Sequence, residues 1–143
     1  MTAYAGVFDR LRAEVSRACH EQVEAAVMVH RSPDQPRRQG PRLGANNHLA
    51  LTPTRLRLHR LGGRSGVKVK DEVAAWDRRT VRVEAADAER SSWFASTGSS
   101  DDYDVHSLRI TGPEGTLVVD VMQENHLMDP KAEIQRLIVA LSP

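Results

Sequence analysis

The sequence predicts a mainly β fold of the α+β class: one helix, about seven short strands and a second helix. Three observations predict it. Apolar stripes with helical spacing stand near the two ends, over residues 3–20 and 130–142. Between them, short segments alternate apolar and polar residues with the period of a half-buried strand. Turn signals separate these segments at roughly 8–12-residue spacing, without β–α–β alternation, which favours a barrel or sandwich over a parallel sheet. The 143 residues suit a single domain over 1–143.

Residues 3–20 read as the first helix. Tyr4, Val7, Phe8, Leu11, Val15, Ala18 and Cys19 follow i, i+3, i+4 spacing, and Thr2 can cap the start. Such a stripe docks on the domain's own core or on a second subunit, and the own core is favoured. Residues 22–30 favour a strand through Val23, Val27 and Val29. Residues 31–47 form a loop punctuated by three prolines, two glycines and Asn46-Asn47. A loop of that length is functional or disordered.

Strands follow at 48–52 and, after the Pro53-Thr54 turn, at 55–61, where Leu56 and Leu58 alternate with Arg55, Arg57 and His59. Gly62-Gly63 and Ser65-Gly66 mark a hairpin. Residues 67–73 set Val67 and Val69 against Lys68 and Lys70, and 79–85 set Val81 and Val83 against Arg82 and Glu84. Residues 86–104 are a polar loop. Strands at 105–111 and 116–122 flank a turn at Gly112–Gly115, and the second is buried on both sides for part of its length. The last element is the clearest. Asp129 as N-cap, Pro130 at the first helical position and Glu133 in the first turn precede the Ile134, Leu137, Ile138, Leu141 stripe of helix 130–142. A helix so placed can plug an open end of a small barrel.

Composition narrows the function. Net charge is +1, but it sums a split chain: −1 over residues 1–30, +9 over 31–82 and −7 over 83–143. The single cysteine, Cys19, allows no intramolecular disulfide and no multi-cysteine zinc site. The N-terminus does not read as a signal peptide, and the longest apolar runs are five residues, against about 20 for a membrane span. A cytoplasmic location and no transmembrane segment are therefore expected.

The stretch HLALTPTRLRLHRLGG at 48–63, the Val-Lys-Val-Lys strand after it, and LRITGPEGTLVVDV at 108–121 followed by a helix resemble the bacterial pleckstrin-homology-like (PH-like, GRAM-like) family. The resemblance covers roughly residues 22–142, and the order of elements carries more of it than any one motif. It implies a seven-stranded, bent antiparallel barrel over 22–122, capped by helix 130–142, with helix 3–20 as an addition. It also implies a binding module for phospholipid headgroups, peptides or proteins. Lipid-binding members carry a Lys/Arg motif around the first two strands; the matching region here has Arg31, Arg37, Arg38 and Arg42, with no lysine and different spacing.

The alternation suggests a surface. Arg55, Arg57, Lys68, Lys70 and Arg82 all point away from buried neighbours, and on adjacent strands they would form one positive face, with Arg37, Arg38 and Arg42 of the 31–47 loop closing over it. The competing reading is a solvated outer face partly paired with the acidic C-terminal half. Nucleic acid is disfavoured, because only Trp76 interleaves with these charges. Trp93-Phe94, in a polar loop, folds onto the core, forms a partner contact or makes a membrane-inserting tip.

Asp101-Asp102-Tyr103-Asp104 and His106 lack EF-hand spacing and read as a solvated loop, so no metal is expected. The six histidines form no helical metal motif, and Asn47-His48 suits hydrogen bonding to a loop. No nucleophile elbow, phosphate loop or dinucleotide fingerprint is present. Cys19, on the first helix's apolar stripe, reads as a small packing residue. The expectation is a non-enzymatic binding or adaptor module without catalytic residues or cofactor, recognising an anionic lipid or phosphate ligand or a protein partner. The alternatives are an assembly protein forming a homo-oligomer through helix 3–20, or a small ligand-binding or enzymatic barrel.

Overall fold

The computed structural model describes residues 3–36, 38–63, 68–86, 106–122 and 130–142. Helix α1 (Ala3–Cys19) leads into strands β1 (Ala25–Arg31), β2 (Asn46–Leu51), β3 (Arg55–Gly62), β4 (Lys68–Asp77), β5 (Arg82–Ala85), β6 (Ser107–Gly112) and β7 (Gly115–Val121). Helix α2 (Pro130–Leu141) follows. The mainly β arrangement with a helix toward each end is as the pattern implied.

The seven strands form one antiparallel sheet in the order β4-β3-β2-β1-β7-β6-β5. A barrel expectation needs correcting, since no pairing among the described residues joins β4 to β5 and closes the sheet. Two local features explain this. Strand β5 is only four residues long and is used up by pairing with β6. Strand β4 slips register against β3 between Leu58 and His59 and again between His59 and Leu61. Such bulges bend a strand away from a flat edge. Side chains bridge the gap instead: Trp76 of β4 lies so close to Gly112 that a Cβ there would sit 2.6 Å from the indole Cδ1.

The core lies on the concave face. Val27, Val29, Leu49, Leu51, Leu56 and Leu58 meet Val83, Leu108, Ile110, Leu117 and Val119 there, and α2 seals it with Ile134, Leu137 and Leu141. These are the stripe positions read from the sequence, and the opposite side of α2 carries Val139, 73% exposed. Burial of this aliphatic set at about 25 cal/mol per Å2 is the main stabilising term.

Helix α1 docks on the other face of the same sheet, against β2 and β4. Leu11 packs with Met28 and Leu61, and Val15 with Val23, Ala26 and Ala50. The stripe that suited a second subunit is thus taken up within the chain. The helix stops at His20, whose φ of 58° is left-handed. The Glu21 amide donates to the Ser16 carbonyl at 3.2 Å, the Schellman closure of a helix end. That stop brings Glu21 to the β2–β3 turn.

Strand β1 begins three residues later than the pattern implied, β2 begins two earlier and takes in Asn46 and Asn47, β3 matches to within a residue, and β4 runs on to Asp77. Trp93, Phe94, Arg37 and the Asp101–Asp104 run lie outside the described residues.

Candidate functional site

The 31–47 loop is pinned to the sheet. The buried Gln35 accepts from the Val118 amide at 2.8 Å and donates to the Gln39 carbonyl at 3.2 Å. Leu43 packs on the core. Fully buried Asn47 donates to the carbonyls of Val29 and Gly44 and accepts from the Gly44 amide at 2.9 Å. Asn47 therefore does the loop-ordering that Asn47-His48 suggested. The loop crosses toward β7, and with β4 and the β6–β7 turn it bounds a cleft of about 760 Å3 lined by Pro41, Trp76, Asp77, Pro113, Glu114 and Leu117. It does not close over the outer face of β3 and β4.

The register separates the five expected cations. Arg55 and Arg57 share a face of β3 with Leu61, which packs under α1. On β4, Val69 pairs with Leu61 and joins that same face, so its neighbours Lys68 and Lys70 point to the other. The Lys70 stem crosses Gly62, where a Cβ would lie 2.5 Å from its Cε. Arg82 stands on β5, at the far edge of the sheet, and donates to the carbonyls of Val81 and Arg79. Topology sets Arg82 apart, and the packing of Val69 under α1 instead of on the main core sets the lysines apart. The two bulges together leave the alternation of β4 in phase, and the period does not say which face of a strand is covered by what.

A different grouping emerges. In the antiparallel order, the β1–β2 and β3–β4 connections leave the sheet at the same end. Exposed Arg38 and Arg42 lie in the first, and exposed Lys68 and Lys70 flank the second. Gly44 of the first connection lies against Arg60 of β3, with 3.7 Å from a Cβ position there to the Arg60 stem. Arg60 pairs with Asp71 at 2.9 Å. Among the described residues, Arg38, Arg42, Lys68 and Lys70 form no ion pair.

Arg57 is neutralised instead. Its side chain is 15% exposed, with one guanidinium nitrogen 2.9 Å from Glu72 Oε2 and the other 3.5 Å from Glu21 Oε1. Burial opposes the charge, and the two carboxylates outweigh it, holding Arg57 above its ordinary pKa. Glu21 accepts from the hydroxyls of Thr54 and Thr52 at 2.7 and 2.9 Å. The Thr54 hydrogen bond is the chief reason its carboxyl titrates below the usual range, against a desolvation cost, with Thr52 and Arg57 adding. The partners of the basic middle segment are thus Glu21, Glu24, Asp71, Glu72 and Asp77, and among the described residues none comes from the acidic 83–143 stretch.

Beside Arg57, His48 and His59 are cross-strand neighbours beneath α1, both almost wholly buried. Neither Nδ1 has a partner, nor does Arg57 Nε. Burial, then the nearby His59 and Arg12, pushes His48 down to about 3. Burial also lowers His59, against the pull of Glu72, whose Oε2 is 3.5 Å from Nε2. The sequence pointed to His48 as a loop anchor and missed this pair. The available signal was that 48 shares a face with Ala50, and 59 with Leu61.

No group of three or more His, Cys, Asp or Glu among the described residues is arranged to hold a metal ion. No helix among them is long and apolar enough to cross a membrane. No protein-family model and no curated protein matches the sequence.

Proposed function

We propose that the chain is a non-enzymatic PH-like binding module that captures a phosphate-bearing anionic ligand at the loop end of its first four strands. The strand order and the helix packed on the concave face support the PH-like reading. One observation carries the ligand reading: Arg38, Arg42, Lys68 and Lys70 emerge at one end of the sheet with no carboxylate paired to them among the described residues, whereas Arg57 is committed to Glu72 and Glu21. Unneutralised cations on two adjacent connections concentrate positive potential and draw a multivalent anion, an attraction that salt screens.

Flotation with phosphatidylserine-containing and pure phosphatidylcholine vesicles tests it. Binding to the anionic vesicles alone, lost in high salt and in K68E/K70E, is the expected result. No flotation with anionic vesicles at low salt would remove the lipid reading.

A further inference from the structure

We propose that α1 is an acid-released cover, held on the sheet while His48 is neutral and shed when it takes a proton. The site of the switch is the interface between α1 and the outer face of β1–β4. Its apolar part is separate from the main core: Leu11 and Val15 meet Val23, Ala26, Met28, Ala50 and Leu61, with Val7, Phe8, Cys19, Val69 and Met122 partly buried around them. The main core, between the sheet and α2, contains no α1 residue. Beyond that face α1 is held by Arg12, which pairs with Glu133 of α2 and donates to the Val23 carbonyl at 2.9 Å. The helix leaves as a local unit, with the sheet intact, once those contacts open.

The polar part of the interface makes the release conditional. His48 Nδ1, His59 Nδ1 and Arg57 Nε are buried there without partners. Among the described residues, the groups around His48 are cationic or neutral, and Arg12 is itself paired with Glu133 of α2. Arg12 approaches from α1 and His59 from β3, and the β1 neighbour is Met28. No carboxylate is placed to receive a proton on His48. His59 differs, since Glu72 and Asp71 of β4 face it along with Arg57 of its own strand. Glu72 offsets part of the cost of a proton on His59, whose pKa burial still lowers, while nothing beside His48 offsets that cost. Charging either adds to the cations already beside His48.

The sign follows from linkage. Docked His48 is neutral well below the ordinary histidine range, and undocked His48 regains it. The released state then binds more protons, and docking weakens as pH falls from about 6.5 toward about 3. One histidine with an undocked pKa of about 6.5 weakens docking about thirtyfold between about pH 7.5 and about pH 5. The uncovered face carries Met28, Ala50 and Leu61 beside Arg57 and two imidazoliums.

Hydrogen exchange of the full chain, expressed as protection factors that remove the intrinsic pH effect, reads the two units separately. Protection over 7–19 is expected to fall about thirtyfold from about pH 7.5 to about pH 5 and to stay below that of β6 and β7 at both, since α1 exchanges by local release and the sheet by global unfolding. In His48→Leu the fall should shrink to a few-fold or less. If that variant does not fold, His48→Gln replaces it and should shrink the fall likewise, because a neutral amide of similar size removes the titrating group. A flat α1 response, equal protection in α1 and in β6 and β7, or an undiminished response in the variant read out would each overturn the proposal.

Discussion

His48 and His59 face each other across the β2–β3 ladder, under a helix that offers neither Nδ1 a partner. Two basic side chains in a dry interface are tolerated only while both stay neutral.

The first consequence is a pH slope in overall stability. His48 sits at about 3 in the folded chain, so its unfavourable contribution grows as pH falls from about 6.5. Between about pH 7 and about pH 4 that contribution reaches an order of magnitude of 3 kcal/mol. Urea unfolding across this range should show it, and His48→Leu should remove most of the excess slope.

Arg57 is expected to act on stability and not on ligand capture. Arg57→Gln leaves Glu72 and Glu21 without their shared cation and should cost about 1–3 kcal/mol by urea midpoint. Arg55→Gln, at an exposed site with no ion pair among the described residues, should stay within about 0.5 kcal/mol. Equal costs for the two would show that the Glu21–Arg57–Glu72 network is dispensable.

Gly112 is the place where the open side of the sheet is filled by a side chain. Gly112→Ala puts a Cβ into the Trp76 ring and should cost about 1–3 kcal/mol. In a Trp93→Phe background the remaining indole emission should shift as Trp76 is displaced. An unchanged spectrum would mean that Trp76 does not rest on Gly112.

The two sides of α2 give a direct contrast. Leu137→Ala empties a fully buried position and should cost about 2–5 kcal/mol, whereas Val139→Ala should be near neutral, within about 0.5 kcal/mol. Thermal or urea unfolding of the pair separates the docked face of α2 from its solvent face.

Local periodicity made much of this fold legible. Leu56 and Leu58, the Val81/Val83 pair and the Ile134–Leu141 stripe all lie where their spacing put them, because burial of one face is a local demand on sequence. The candidate site was less legible. Lys68 and Lys70 alternate as cleanly as Arg55 and Arg57, yet Val69 between them packs under α1, on the face that Arg55 and Arg57 share, so the lysines point to the other. Arg82 was separated by topology, since β5 joins the far edge through β6. The docking of α1 over His48 was hidden for a related reason: a polar residue on a strand face reads as exposed until another element covers it. Gln35, which holds the long loop to β7, carries no pattern at all.

On the proposed function, anions are captured at the loop end and not on the β3 face. Amide shift mapping by NMR during titration with phosphatidylserine-containing nanodiscs tests it most directly. The account expects the largest shifts at Arg38, Arg42, Arg60, Lys68 and Lys70, fading as salt is raised, with Arg55, Arg57 and Arg82 little changed. Shifts centred on Arg55, Arg57 or Arg82, or none at low salt, would contradict it.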